Sequence, residues 1–315
     1  MHSKYHSGFR LICVVVFLYY SFLLTWQGLV VFMFLLASVY ISRTESTNTR
    51  KDKKNPLRQN ITGEVTLLDA TRRRIDAEIA RFVTYDGKSA NSLSRFDEIK
   101  FNSECIFAAK ARLWGSSDWL SELPLEENIH RLLPTFLLFV LSCPELGLDG
   151  FLVELPGSYC CDIQIFSDTV RRVLKVMSDE DPRGVRCMDK SYIGGRGWVF
   201  EFNKMTFFVT TFAPFYPETH SRYSFGCRDH GYILFQPELS FARKDLPTYT
   251  PVTNWNNPRT IRDRIRVAFR DAGRPYPTHE VPLVEEIVRP VDSCDQIKWW
   301  NHFPPDQFSG LSDTY

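Results

Sequence analysis

A long stretch near the start of the chain contains no charged side chain, and it limits the possible folds more than any other feature. It runs for 31 residues, from Leu11 to Ile41. A helix needs about 20 apolar residues to cross a bilayer, so this stretch is long enough. A secretory signal has a shorter apolar region, of about 7 to 15 residues, that ends at small residues. We therefore expect residues 1–42 to form a transmembrane-like helix, with membrane contact through residues 11–41.

The basic residues on the two sides of this stretch predict its orientation. Lys4 and Arg10 precede it, and six basic residues follow it between Arg43 and Arg58. Because the more basic flank stays in the cytosol, the sequence predicts a single-pass protein with a cytosolic C-terminal body. A misplaced gene start is the alternative. The working protein would then begin after Arg43 and would be cytoplasmic.

The rest of the chain has the composition of an ordinary folded protein. The whole sequence has 38 Lys+Arg against 37 Asp+Glu and 44% hydrophobic residues. Nucleic-acid binders usually carry a basic domain or stripe, so the balanced charge argues against such a partner. We expect a polar linker at 43–63, a folded domain at 64–300 and a tail at 301–315.

Eight cysteines are present, but their spacing predicts neither a zinc site nor a disulfide framework. No C-x-x-C pair occurs, and no paired Cys/His spacing of the zinc-finger type is found. We expect most of these residues to be reduced thiols.

Hydrophobic periodicity predicts an α+β domain with a mainly antiparallel sheet and packed helices, preceded by the N-terminal transmembrane-like helix. The clearest signal is a hairpin, in which two aromatic strands are joined by Asn203-Lys204. The last helix is expected to start with Asn257 as N-cap and to bury Ile261, Ile265, Ala268 and Phe269. The remaining predictions are helices at 65–83, 125–141 and 163–177, and strands at 105–113, 151–155 and 232–235.

Familiar catalytic motifs are absent, but one loop is dense in polar and aromatic residues. Residues 212–227 read FAPFYPETHSRYSFGC and directly follow the predicted hairpin. His220 could bind a metal or transfer protons, and Arg222 could bind a carboxylate. A purely structural role for both residues remains the alternative.

Several segments of this sequence resemble the YqcI/YcgG family, in the family's order and across about residues 95 to 300. The resemblance rests on a C-x-F-A segment, an F-x-F hairpin, a Pro-His-Arg segment, an F-Q-P strand end and an I-R-x-R helix. Here these are Cys105–Ala108, Trp198–Phe208, Tyr216–Tyr223, Phe235–Pro237 and Ile261–Ile265. Two segments depart from the family pattern, at Asp179–Gly184 and Pro275–His279, and they bear on substrate identity.

The resemblance implies a haem-dependent oxygenase that hydroxylates a guanidine or amine nitrogen of a small molecule and takes electrons from an external donor. His220 is the expected metal ligand, and Cys105 and then Cys227 are its competitors. Arg222 and Tyr223 are the expected catalytic residues, and the expected apolar wall of the cofactor site is Phe208, Phe212, Phe215 and Tyr223. Two alternatives are a membrane-anchored, non-catalytic binding module of the same fold and a metal-dependent hydrolase using His220, His230 and His279.

Overall fold

The computed structural model describes residues 79–244, 252–275, 282–292 and 297–301. The predicted transmembrane-like helix, the linker and most of the helix predicted at 65–83 lie outside these residues. Within them the fold is α+β, as predicted. Its helices are α1 (Asn91–Asn102), α2 (Leu125–Leu146), α3 (Ile163–Asp179), α4 (Glu238–Arg243) and α5 (Ile261–Asp271). Its strands are β1 (Leu113–Gly115), β2 (Gly150–Pro156), β3 (Phe200–Phe202), β4 (Met205–Phe212) and β5 (His230–Pro237).

These strands form one five-stranded sheet with the order β1-β2-β5-β4-β3. The short strands β1 and β3 form its two edges. β1 runs parallel to β2, and the other pairs are antiparallel, so the sheet is mixed but mostly antiparallel. The β3–β4 hairpin is confirmed. Asn203 and Lys204 both adopt positive φ, at 49° and 64°, the backbone that a two-residue hairpin turn requires.

Alternating side chains divide the sheet into two faces. Phe151, Val153 and Leu155 of β2 point into the main core, together with residues of α2 and α3. Leu152 belongs instead to a smaller cluster with Phe96 of α1. α1 is also held to this second face by an ion pair, since Arg95 Nε donates to Glu154 Oε1 at 2.8 Å.

Helix α2 is longer than the predicted range 125–141, and it is continuous through Pro134, a residue that commonly kinks or divides a helix. It continues through Pro134 and Pro144 to Leu146, and Gly147 ends it in the left-handed conformation at φ 64°. Pro144 has no N–H for the Val140 carbonyl, which instead accepts a bond from Cys143 Sγ at 3.6 Å. α2 is long and apolar enough to cross a membrane by length and composition. Its buried side chains pack against the sheet, which accounts for that composition.

Two predicted elements are wrong in position. Residues 105–113 do not form one strand, because Ala108–Lys110 make a 3-10 turn and β1 starts only at Leu113. The last helix starts at Ile261 and not after Asn257, because the Thr260 side chain accepts the N–H of Asp263 as N-cap. The expected stripe is also wrong, since the buried residues of α5 are Asp263 and Arg266.

The strands predicted at 151–155 and 232–235 are confirmed, as is the helix predicted at 163–177. All three are slightly longer in the structure. Asp162 caps α3, because its Oδ1 accepts the N–H groups of Gln164 and Ile165 at 2.8 Å.

Candidate functional site

The loop after β4 folds against residues 284–290 and brings His220 and Arg222 close together. Tyr216 connects the loop to this segment, since its hydroxyl donates to the Arg289 carbonyl at 2.7 Å. The Tyr216 ring is stacked on the His220 imidazole, with centroids 4.2 Å apart and planes 4° apart. This stacking fixes the orientation of the imidazole.

Both ring nitrogens of His220 are engaged. Nδ1 accepts the Arg222 N–H at 3.1 Å, so the ring proton is on Nε2, which faces the Pro290 carbonyl at 3.2 Å. Burial, together with Arg222 and Arg289, lowers the pKa of His220 to about 4. His220 is therefore neutral at neutral pH. In this arrangement it would have to give up one of these bonds to bind a metal.

Arg222 is buried between Phe212 and the segment 284–290. Its Nη2 donates to the Glu286 carbonyl at 3.0 Å and lies 3.8 Å from the Glu286 carboxylate. Its guanidinium carbon is 5.9 Å from the centre of the Phe212 ring. Glu286 and Arg289, which form an ion pair with each other, are not among the residues predicted from the sequence. Their i,i+3 spacing within the apolar segment 282–290 is the signal that could have identified them.

Phe208 and Phe212, two of the residues expected to form an apolar wall, lie on β4. Phe208 and Phe212 point to the same face of the sheet, because they are four residues apart on a strand. Phe208 packs against Phe241 of α4, with ring centroids 5.9 Å apart, and Phe212 packs against Phe96 of α1, with ring centroids 5.6 Å apart. Both rings are half-buried. Phe215 lies elsewhere, in contact with Phe166 of α3.

Cys105 follows α1 and precedes the 3-10 turn. Burial raises the pKa of Cys105, and the backbone of Phe107 and Ala108 together with the Lys244 cation only partly offset this effect. The isolated group is therefore a thiol. A metal bound to the sulfur would displace the proton, and the nearby cation would favour the resulting thiolate.

A chain of contacts joins Cys105 to the loop of His220 and Arg222. Glu104 forms an ion pair with Arg274, whose guanidinium lies 5.0 Å from the Phe225 ring. Phe225 in turn packs against Tyr223, with ring centroids 5.0 Å apart. The loop is therefore linked through Phe225 and Arg274 to Glu104, the residue that precedes Cys105.

The candidate cofactor ligands differ in how well they suit a haem iron. Both His220 nitrogens are already bonded, whereas the Cys105 sulfur makes no hydrogen bond of normal geometry with a described residue. Cys227 donates from its sulfur to the Arg95 carbonyl at 3.0 Å, and burial raises its pKa. Cys105 is therefore the candidate that could bind iron without losing one of these bonds. Within the described ranges no three His, Cys, Asp or Glu side chains are grouped to hold a bare metal ion, and His279 lies outside them.

Comparison of the chain with models of protein families, with curated proteins and with solved structures gave no match.

Proposed function

We propose that this chain is a haem-dependent oxygenase that hydroxylates a guanidine or amine nitrogen of a small molecule, and that Cys105 would hold the haem iron. The reaction class comes from the resemblance to the YqcI/YcgG family. The observation that carries the choice of ligand is that hydrogen bonds engage both His220 nitrogens and the Cys227 sulfur, whereas the Cys105 sulfur makes no hydrogen bond of normal geometry with a described residue. A thiolate ligand makes the iron electron-rich and favours cleavage of the O–O bond.

Other side chains would position the reactants. Phe208 and Phe212 would give the cofactor an apolar wall, since their half-buried rings share one face of β4. Arg222 would bind a carboxylate of the substrate or of the cofactor, from its position beside Phe212. Tyr223 would offer its phenol to the substrate. His220 would act indirectly, by holding the Arg222 backbone through its Nδ1.

The overall reaction consumes one O₂, two electrons and two protons, and it yields the N-hydroxy product and water. The electrons would come from an external donor. We propose a location in the membrane, with one span at 11–41 and a cytosolic body. If the working protein begins after Arg43, the protein would be cytoplasmic.

Haem titration of the purified full-length chain tests this proposal. The wild type is expected to take up haemin, and the CO complex of the reduced protein should show the red-shifted band typical of thiolate ligation. Cys105→Ser should lose this band. Cys161→Ser is the matched control, because Cys161 is an exposed cysteine, and it should keep the band. A wild type that binds no haemin, or a band that survives in Cys105→Ser, would contradict the proposal.

A second candidate is a non-catalytic, membrane-anchored binding module of the same fold. It is favoured by the internal bonding of His220 and Arg222, which a purely structural loop would also show. This alternative predicts a cooperatively folded protein that takes up no haemin. The same titration therefore separates the two candidates.

A further inference from the structure

Basic side chains and exposed aliphatic ones lie together where helix α2 ends. Ile106 and Leu146 are 47% and 39% exposed, although both are large apolar residues. They share this part of the surface with four cations. We call it the basic patch, and it consists of Ile106, Lys110, Arg112, Leu146, Arg243 and Lys244.

Contacts around the buried Asp149 hold the basic patch together. Asp149 Oδ1 pairs with the Lys244 ammonium at 2.8 Å, and its Oδ2 accepts the Arg112 N–H at 3.0 Å. Residues 106–110 join this group, because the Lys244 ammonium lies 5.0 Å from the centre of the Phe107 ring. The cations are therefore fixed in one region of the domain surface.

Arg112 and Arg243 bring positive charge to one point of the patch. A Cβ on Gly147 would lie 3.4 Å from Arg112 Nη1 and 3.5 Å from Arg243 Nη1, so both guanidinium groups border this glycine. Arg243 Nη1 donates to the Cys143 carbonyl at 3.2 Å, which accounts for its place at the end of α2. The Arg112 guanidinium, in contrast, forms no hydrogen bond or ion pair among the described residues. It is available to an external anion.

The basic patch carries a net positive charge. Its cations outnumber its carboxylates by four to two, with Lys110, Arg112, Arg243 and Lys244 against Glu145 and Asp149. Lys110 is exposed and forms no ion pair within the described ranges. The positive charge is therefore not neutralised by the neighbouring side chains.

The chain reaches the domain beside this patch. Residues 87–89 contact β1, and Lys88 lines a surface cavity together with Arg112 and Leu146. Asp86 lies two positions before Lys88 and balances its charge, so these two residues add no net charge to the patch. The segment that follows the predicted linker in sequence therefore passes next to Arg112.

We propose that the basic patch rests on the anionic surface of a lipid bilayer. Its cations would attract anionic headgroups, and Ile106 and Leu146 would enter the boundary between the headgroups and the acyl chains. A small soluble anion would give no role to these two aliphatic residues. The choice of a bilayer rests on the proposed membrane location, with a span at 11–41 and the body on the cytosolic side, where anionic lipids attract basic segments. The contact itself requires neither haem nor oxygenase chemistry.

Amine labelling of the full-length protein on vesicles tests this contact. The protein is combined with vesicles of phosphatidylcholine, or of phosphatidylcholine and phosphatidylserine, and is treated with an amine reagent that does not cross the bilayer. Mass spectrometry of the peptides then compares Lys110 with Lys204, which is exposed in the β3–β4 turn at the other edge of the sheet. The ratio of Lys110 to Lys204 labelling should fall about threefold or more when phosphatidylserine is present. It should recover at about 1 M salt, where the Debye length is only about 3 Å.

A variant assigns the contact to the patch. Arg112→Gln should reduce the protection of Lys110 about fivefold, since each basic residue near an anionic surface contributes about that factor to binding. Arg183→Gln is the matched control for loss of an exposed cation. Arg183 lies near the β3–β4 turn, because Asp181 accepts the N–H groups of both Arg183 and Asn203. This control should leave the protection of Lys110 unchanged, and circular dichroism verifies that both variants are folded.

Three results would show that the proposal is wrong. They are a protein that does not associate with the vesicles containing phosphatidylserine, a ratio of Lys110 to Lys204 labelling that is the same on both kinds of vesicle, and equal effects of Arg112→Gln and Arg183→Gln. Failure of the predicted span is a separate result, in which the protein stays in solution with phosphatidylcholine and joins only the vesicles that contain phosphatidylserine. Failure to take up haemin would not alter the labelling of Lys110.

Discussion

Two buried threonines provide a direct test of how hydrogen bonding contributes to the stability of this domain. Thr211 on β4 and Thr135 on α2 are both almost fully buried. Thr211 Oγ1 donates to the Ile287 carbonyl at 2.5 Å, whereas Thr135 Oγ1 has no partner among the described residues. Replacing either threonine by valine keeps the shape of the side chain and removes one hydroxyl group.

The two substitutions should have different effects on the free energy of unfolding. Thr211→Val leaves the buried Ile287 carbonyl without its donor, which costs about 1–3 kcal/mol. Thr135→Val removes a hydroxyl that is buried without a bond, so it should be neutral or stabilise the protein by about 1 kcal/mol. We therefore expect the free energies of unfolding of the two variants to differ by about 2 kcal/mol.

Urea denaturation followed by circular dichroism measures this difference, provided that the slope against urea is the same for both variants. The reasoning would be refuted if Thr135→Val destabilised the protein as much as Thr211→Val, because Thr135 would then make a bond that the structure does not show.

Three further predictions concern charge and thiol chemistry. The pKa of His220 is lowered from 6.5 to about 4 in the folded protein, so the folded state binds fewer protons than the unfolded chain. The stabilising contribution is complete above about pH 6.5 and is lost as pH falls towards 4, and His220→Gln should flatten the unfolding free energy over this window. Glu286→Gln should destabilise the protein by about 1–3 kcal/mol in urea denaturation, because Glu286 pairs with the buried Arg289. The exposed pair of Arg270 and Asp271 supplies the control, in which Asp271→Asn should change stability by less than about 0.5 kcal/mol, and equal effects would contradict the argument. Among the six cysteines that the structure describes, Cys161 should be alkylated first in the native protein, as followed by peptide mass spectrometry, since it is exposed and burial raises the pKa of its neighbour Cys160 to about 12. Faster labelling of Cys160 would show that the native fold opens at this point.

Local sequence signals predicted the elements whose structure depends on local physics. The β3–β4 hairpin follows from its aromatic alternation and its two-residue turn, and α3 follows from an apolar stripe that Asp162 caps. Helix α2 persists through Pro134 because its buried side chains pack against the sheet, and this packing outweighs the lost backbone bond.

Distant contacts decide the features that the sequence did not predict. β1 is three residues long and exists only because it pairs in parallel with β2, which starts 35 positions after the end of β1. Arg266 is buried in α5 because its Nη1 can donate to Thr253 Oγ1 at 2.9 Å, which no helical periodicity indicates. His220 and Arg222 were identified from their loop, but their partners Glu286 and Pro290 come from a segment more than 60 residues away.

The two outer strands of the sheet affect how copies of this protein meet one another in a concentrated solution. A long, flat outer strand offers a row of free backbone groups on which a second chain can assemble. Here both outer strands, β1 and β3, are only three residues long. Of the longer strands, β5 has strand neighbours on both sides, whereas β2 and β4 are covered on their outer sides only over Gly150–Leu152 and Met205–Phe207. The outer strands themselves thus offer few free backbone groups, and strand addition by a second chain would have to use the uncovered outer edges of β2 and β4.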